Sequence, residues 1–271
     1  MSLLTEDLAV EIRADVLGMV HRARAAHVGS SLSVVDILAV LYGEVLHHRA
    51  AEPEWPERDR LILSKGHAAA AGYAALARVG YFPPELLASY CANDSPLAGH
   101  LTAAAGAPGV EVSTGSLGHG MPIGAGMAVH AKRTGAGHRV FVILSDGECD
   151  EGTTWEASLF AAHHQLANLC VVVDYNRIQS FGRVDEVLAL EPFAEKWRAF
   201  GWDVHEVDGH DHDALRLVLK GSHQTQPRLV VANTVKGKGV SFMEDDLLWH
   251  YRSPDDAQLA EALAEVRSHR R

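Results

Sequence analysis

The chain has 271 residues, 47% of them hydrophobic, and this length can hold one large α/β domain or two small ones. The formal net charge of −11 argues against nucleic acid or an anionic membrane as a partner, and no apolar run reaches the length of a membrane span. The three cysteines show no paired spacing and the N-terminus shows no secretory signal, so we expect a reducing, cytoplasmic setting.

The N-terminal stretch predicts two helices separated by a short Gly/Ser segment. Apolar residues recur at four-residue spacing within Leu3–Arg24, which is typical of an amphipathic helix. A second helix is predicted over residues 34–46, with Ser31 or Ser33 as its N-terminal cap. His27 lies in the break between the two helices, where a solvated loop residue and a functional residue are equally expected.

A strand, a tight glycine turn and a helix are predicted next. The apolar run 61–64 stops at Lys65-Gly66-His67, and an alanine-rich helix follows over residues 68–78. Free backbone N–H groups at such a helix start attract anions. Lys65 and His67 are therefore candidate phosphate donors, although the same pattern also fits a plain strand–helix connection.

Two loops between residues 91 and 120 are candidates for ligand binding. The first, 91–113, carries His100 and is long for a loop inside a compact domain, which often indicates function. The second, Ser113–Gly120, is rich in glycine and precedes a helix predicted over residues 123–132. It lacks both the ending of a P-loop and the spacing of a dinucleotide-binding fingerprint, so its pattern alone is weakly specific.

The most informative stretch is a β-α-β unit between Arg139 and Ile178. Two apolar, β-branched runs flank a crossover helix at about 151–166, which predicts a pair of parallel strands. Asp146 follows the first strand and Asn176 follows the second. Ligands of open parallel sheets lie beyond the carboxyl ends of the strands. A carboxylate and an amide at this edge predict a hard-cation site next to a phosphorylated ligand.

The rest of the chain continues the alternation of strands and helices. Strands are predicted over residues 202–207 and 228–234, and a closing helix over 254–266. The segment Asp208–His212 contains two histidines and resembles a metal cluster, but a turn that caps the helix after it is the favoured interpretation. We predict one α/β domain over residues 1–271, a doubly wound, mostly parallel sheet with helices on both faces. The crossover helix is expected to bury Trp155, Leu159, Ala162 and Leu166.

The order and the sequences of the ligand loops resemble those of the transketolase family. In particular, they resemble its N-terminal half encoded as a separate subunit of a split transketolase. Asp146-Gly147, followed by Asn176 thirty residues later, is similar to the thiamine diphosphate signature of that family. Three further stretches, 62–68, 109–118 and 235–244, closely match sequence motifs of the family. The resemblance extends from about residue 8 to 254. It implies the thiamine diphosphate-binding fold, of the type that holds the diphosphate (the PP domain).

The resemblance also implies roles for individual residues. Mg²⁺, or Ca²⁺ or Mn²⁺ in its place, would be held by Asp146, Asn176 and the backbone carbonyl of Ile178. Thiamine diphosphate would be bound by the residues His67, Gly115, Ser116, Leu117, Gly147, Asn176 and His250.

The implied reaction is transfer of a two-carbon ketol unit from a ketose, or ketose phosphate, to an aldose. His27, His100 and His250 would handle protons on the sugar, a task suited to side chains whose pKa is near working pH. Glu151 would lie at a subunit interface in a proton relay. The half of the enzyme that binds the pyrimidine ring is missing, so the resemblance implies a separate C-terminal partner subunit, an α2β2 assembly and no activity of this chain alone.

Four positions carry residues that differ from those common in the family: Ser145, Arg177, Ser180 and Phe181. They leave the metal ligands in place but suggest an altered pocket. The donor and acceptor sugars stay open, as does the choice between central and specialised metabolism. Two other functions also stay open: the thiamine-binding subunit of a 2-oxoacid decarboxylase, dehydrogenase or deoxyxylulose-phosphate-synthase-like enzyme, and a non-catalytic scaffold subunit.

Overall fold

The computed structural model describes residues 4–221 and 225–268, so Leu3, the predicted start of the first helix, lies outside the described residues. The helices are α1 (Thr5–Ala23), α2 (Val28–Ser33), α3 (Val35–Val40), α4 (Ala69–Arg78), α5 (Gly120–Thr134), α6 (Gly152–His163), α7 (Val184–Val187), α8 (Phe193–Ala199), α9 (His212–Lys220) and α10 (Asp256–Ser268). The strands are β1 (Arg60–Leu63), β2 (Val140–Ser145), β3 (Leu169–Tyr175), β4 (Asp203–Asp208) and β5 (Arg228–Asn233). None of the helices described is long and apolar enough to cross a bilayer.

The strands form one sheet in the order β1-β2-β3-β5-β4, and every pairing among them is parallel. The register sets Ser145 at the end of β2 beside Asp174 near the end of β3. The residues that follow both strands therefore leave the sheet at the same edge. This arrangement confirms the predicted α/β class and the predicted pairing of the β-α-β unit.

Alternate residues of the strands enter two separate cores, one on each face of the sheet. Phe141, Ile143 and Val172 pack with α1, α3, α4, α9 and α10, whereas Val142, Val171 and Val173 pack with α5, α6 and α8. Strands covered on both faces need apolar residues at every position, which explains their continuous apolar runs. The prediction of helices on both faces is confirmed.

The predicted boundaries of the second helix are wrong. Helical structure begins at Val28, and Ser31 and Ser33 lie inside α2 instead of capping a helix at residue 34. All six residues of α2 are buried, because small side chains allow it to pack closely against its neighbours. A Cβ at Gly29 would lie 3.2 Å from the Lys236 side chain and 3.4 Å from Trp249. Tight packing here overrides the low helix propensity of glycine and serine.

The predicted buried face of the crossover helix is wrong at Leu159, while Trp155, Ala162 and Leu166 pack in or against the core. Leu159 is 52% exposed, and the residues that α6 buries are the small ones, Thr154, Ala157, Ser158 and Ala161. Of the predicted set, Leu166, just beyond the helix, is fully buried, while Trp155 and Ala162 are partly buried. Small residues let α6 lie close to the sheet and to α5, which leaves larger apolar side chains on its outer side.

Candidate functional site

Four histidines from four different loops meet at the carboxyl edge of the sheet. His27 precedes α2, His67 lies between β1 and α4, His100 follows α4, and His250 lies in a short turn before α10. The ring centroid of His27 is 5.3 Å from that of His67, 5.7 Å from that of His100 and 4.9 Å from that of His250. The structure thus brings together all four histidines that the sequence assigned to the site.

Backbone conformation positions this cluster. His27 adopts a left-handed conformation, with φ of 72°, and its N–H donates to the carbonyl of His250 at 2.9 Å. Gly115 has φ of 153°, and a Cβ there would lie 3.0 Å from the His100 ring. Only glycine allows the backbone of this loop to lie against His100 in that conformation.

The two predicted metal ligands, Asp146 and Asn176, are buried next to the cluster. Asp146 follows β2 and accepts hydrogen bonds from the backbone N–H of Gly147 at 2.7 Å and of Arg177 at 2.5 Å. The side-chain oxygen of Asn176 accepts from the N–H of Ile178 at 3.2 Å. Arg177 itself has a positive φ of 64°, which turns the chain so that its N–H faces Asp146. The residues after β2 and β3 therefore form a compact, oxygen-bearing pocket.

A cavity of about 400 Å³ connects the histidines with these oxygen atoms. Of the residues assigned to the site by the sequence, all except Ser116 line it: His27, His67, His100, Gly115, Leu117, Asp146, Gly147, Glu151, Asn176, Ile178 and His250. Ser116 lies between two lining residues, but its own side chain is exposed. The departures Ser145, Ser180 and Phe181 also line the cavity, whereas Arg177 does not.

Lys65 does not take the role of free phosphate donor expected from the sequence. Its ammonium group is fully buried, forms an ion pair with Asp174 and donates to the carbonyl of Ser30 at 3.0 Å. Asp174 also accepts from the hydroxyls of Ser33 and Thr234. A carboxylate inside a buried, apolar strand must be paired, and this is the signal by which Asp174 could have been found.

Lys236 is a site residue that sequence analysis missed. It is 1% exposed, and its ammonium group donates to the carbonyl of Ile178 at 2.8 Å and to Nδ1 of His250 at 3.2 Å. Burial lowers its pKa to about 8, and the nearby charge of Lys65 contributes to the shift. In this cavity, which Asp146 also lines, Lys236 supplies a positive charge suited to an anionic ligand.

The histidines are much less basic than expected from the sequence. Burial, followed by the charges of neighbouring lysines and histidines, lowers the pKa of His27 to about 4 and that of His250 to about 3. The pKa of His67 is also held well below its usual value, mainly by burial. The expectation that their pKa lies near working pH is wrong for this state of the protein. At neutral pH these three imidazoles are uncharged, and each offers one donor and one acceptor.

Metal loading should depend on pH through Asp146. Burial, with the charge of Asp174, raises the pKa of Asp146 to about 6 from a reference near 3.8. Because the pKa of Asp146 is higher in the folded chain than in the unfolded chain, its contribution to stability is fully present below pH 3.8. That contribution is lost as the pH rises through about 6. Because a metal needs the carboxylate, its affinity should fall about tenfold per pH unit below pH 6 and be constant above it.

Calorimetric titration with Mg²⁺ alone between pH 5 and pH 7 measures this dependence, without the diphosphate whose charge would shift the pKa values of the histidines. The low pKa values of His27 and His250 place their own protonation below this range. A constant affinity across the whole range would contradict the role of Asp146.

The fold and this site together define a thiamine diphosphate-binding domain, and residues 4–262 match the family described as "Transketolase, thiamine diphosphate binding domain". The chain belongs to the transketolase family. Family membership confirms the resemblance drawn from the sequence.

The relatives include short chains of similar length. The chain is 41% identical to an apulose-4-phosphate transketolase subunit from Actinobacillus succinogenes, over 89% of this chain and 87% of that protein. It is 40% identical to the 6-deoxy-6-sulfo-D-fructose transketolase subunit SqwG of a Clostridium species, over 94% and 93% of the two chains.

Solved transketolases share the fold but are much longer. Transketolase from Leishmania mexicana superposes with a TM-score of 0.91 at 29% identity, covering 98% of this chain and 42% of that one. The enzyme from Campylobacter jejuni gives a TM-score of 0.90 with the same identity, covering 97% and 42%. The chain therefore spans about two-fifths of the length of these solved transketolases.

Proposed function

We propose that this chain is the N-terminal subunit of a two-component, thiamine diphosphate-dependent transketolase. The reaction is transfer of a two-carbon ketol unit from a ketose, or ketose phosphate, to an aldose. The observation that carries the proposal is the placement of four histidines and the pair Asp146 and Asn176 around one cavity. Oxygen ligands suit Mg²⁺, and uncharged imidazoles suit the hydroxyl groups of a sugar.

The residues present fit the proposed cofactor and its metal ion. Mg²⁺, or Ca²⁺ or Mn²⁺, would be held by Asp146, Asn176 and the carbonyl of Ile178, all oxygen donors of the kind that hard cations prefer. In the ligand-free chain that carbonyl accepts from Lys236. Metal binding would release the ammonium group of Lys236 to a phosphate oxygen. The other diphosphate-binding residues would be His67, His250 and the N–H of Gly147, with Gly115, Ser116 and Leu117 along the cofactor.

The remaining assignments concern proton handling. Bound thiamine diphosphate supplies the carbanion stabilisation that cleavage of a carbon–carbon bond requires. His27, His100 and His250 would hydrogen-bond the hydroxyl and carbonyl groups of the sugar and move their protons. The negative charge of the diphosphate would raise the low pKa values of His27 and His250 toward neutrality. Glu151, exposed at the start of α6, would pass protons to a neighbouring subunit.

Exposed apolar side chains around the cavity mouth, here called the rim, support the proposal that a partner subunit binds there. The rim consists of Phe181 and Val187, which line the cavity, and Tyr251, which contacts the lining residue His250; Phe181 is 85% exposed. The hydroxyl of Tyr251 donates to the carbonyl of Ser180, which fixes the hairpin that carries Phe181. Exposed apolar residues gathered around a binding cavity are typical of an interaction surface. We infer that a separate C-terminal, pyrimidine-binding subunit covers this rim in an α2β2 assembly in the cytoplasm.

A screen of donors tests the reaction type. With thiamine diphosphate, Mg²⁺ and the partner chain present, ketose phosphates should serve as donors and pyruvate should not. Coupled detection of the released aldose and of carbon dioxide measures both reactions in parallel. Turnover of pyruvate alone would assign the chain to the 2-oxoacid or deoxyxylulose-phosphate-synthase class. Absence of cofactor binding, measured in the same mixture by calorimetry, would indicate a scaffold subunit.

A further inference from the structure

The two histidines of the turn before α9 have a role outside the cavity. His210 and His212 both contact the buried carboxylate of Asp36 in α3, at 2.7 Å and 3.0 Å. Their position on a single carboxylate, together with Asp211 as the cap of α9, confirms the turn favoured by the sequence. Among the described residues, no group of three or more His, Cys, Asp or Glu side chains is placed so that it could hold a metal ion.

Arg13 of α1 completes a buried network around Asp36. Its guanidinium binds both carboxylate oxygens, at 3.1 Å and 2.5 Å. Burial by itself would raise the pKa of Asp36, but Arg13 and the hydrogen bonds from both histidines hold that pKa well below its usual value. Asp36 is therefore an ionised carboxylate with four hydrogen bonds, and its partners have fixed positions.

Two members of the network hold the backbone on both sides of Lys236. The N–H of Val235 donates to Nε2 of His210 at 2.9 Å, and Nε of Arg13 donates to the carbonyl of Lys238 at 3.1 Å. Because Nε2 of His210 accepts a hydrogen bond, its proton is on Nδ1, which faces Asp36. Asp36 thus joins the two groups that flank the turn containing Lys236.

We propose that Arg13, Asp36 and His210 form a loop clamp that positions Lys236 for the diphosphate of the cofactor. The inference rests on the proposed function, in which Lys236 binds a phosphate oxygen. These are positioning residues, since none of them lines the cavity. Lys236 is fully buried and lines the cavity, so the conformation of its turn helps to set the position of its ammonium group. A displacement of about 1 Å at such a site can cost about 100-fold in function.

His212 provides a matched control for His210. Both rings contact Asp36, but the second nitrogen of His212 contacts the hydroxyl of Thr5 at 2.9 Å and not the loop. His210→Phe removes the contacts with Asp36 and the loop, whereas His212→Phe removes the contacts with Asp36 and α1. A purely structural role would give similar effects for both variants. His210→Gln keeps one donor and one acceptor and should rescue the loop contact.

The experiment is a double-mutant cycle on the full chain, with the dissociation constant for thiamine diphosphate and Mg²⁺ measured by calorimetry. Inorganic diphosphate with Mg²⁺ is a second probe, and thermal unfolding reports the fold of each variant. We expect His210→Phe to weaken binding about tenfold, as is typical when a group behind a ligand-binding residue is lost. His210→Gln and His212→Phe should stay within about threefold of the parent chain. In a Lys236→Met background, His210→Phe should have no further effect.

The outcomes separate the inference from the proposed function. If Lys236→Met alone leaves the affinity unchanged, the phosphate-binding role of Lys236 is wrong. If Lys236→Met weakens binding but His210→Phe weakens it further by the same factor, the clamp does not act through Lys236 and the inference is overturned. Should His210→Phe fail to fold, Arg13→Lys replaces it in the cycle, because lysine keeps the charge but cannot bind both Asp36 and the Lys238 carbonyl.

Discussion

Replacing Asp146 with alanine is expected to weaken binding of thiamine diphosphate and Mg²⁺ by more than about 100-fold. Asp146 is the only carboxylate among the three proposed metal ligands, and even the loss of a group behind a ligand typically costs about 10-fold to 100-fold in affinity. Without a ligand, the net change in stability should be small, because relief of the buried charge offsets the loss of the hydrogen bonds from the N–H groups of Gly147 and Arg177. The buried carboxylate of Asp146 has a pKa of about 6, a shift that destabilises the folded state above that pH by an amount on the order of 3 kcal/mol.

Calorimetry gives the affinity of the variant, and thermal unfolding without ligand gives its stability. Asp213→Asn is the matched control, because this carboxylate is 87% exposed and lies on α9, outside the cavity lining. The control should bind the cofactor as the parent chain does. Retention of tight, Mg²⁺-dependent binding by Asp146→Ala would contradict the metal site.

The purified chain should show no ketol transfer on its own, even with thiamine diphosphate, Mg²⁺ and a range of sugar phosphates. In the proposed two-component enzyme, the group that protonates the pyrimidine ring is on the partner subunit, and loss of a general acid typically costs about 100-fold to 10,000-fold in rate. Addition of the partner subunit should restore turnover. The rate should rise with partner concentration and become constant at a one-to-one ratio of chains.

Two variants make this partner experiment specific. Phe181→Ser, on the rim, should raise the partner concentration needed for half-maximal rate, because a large exposed aromatic ring is a typical contact residue. Leu217→Ser is the comparison, since Leu217 is also strongly exposed, at 77%, but lies on α9. It should leave the partner requirement unchanged. Robust turnover by this chain without a second polypeptide would refute the two-component assignment.

The sequence predicted the sheet and the position of Asp146 and Asn176 at one edge of it, because both depend on local patterns. Continuous apolar runs identify strands that are covered on both faces, and the parallel pairing then places Asp146 and Asn176 at one edge. The assignment of the histidines to the site rested on the family resemblance instead, because no local pattern relates His27 to His250, more than 200 residues later. Their low pKa values follow from burial, and burial becomes known only when the four loops are assembled.

Other parts of the site had no sequence signal of their own. Lys236 reaches a backbone carbonyl, that of Ile178, and every residue has such a group. Lys65 is paired with Asp174 across more than 100 residues, so a pattern at either position does not identify the other. The early start of α2 follows from close packing of small residues, which competes with their low helix propensity.

The exposed rim has a consequence for the chain before assembly. A phenylalanine at the tip of a fixed hairpin, with other apolar side chains around the same mouth, is a surface on which copies of the chain can associate wrongly. If a partner covers this rim as proposed, a surplus of this chain over that partner would have lower colloidal stability, and balanced synthesis of the two chains would avoid this. In recombinant expression, the yield of soluble protein should follow the supply of the second polypeptide.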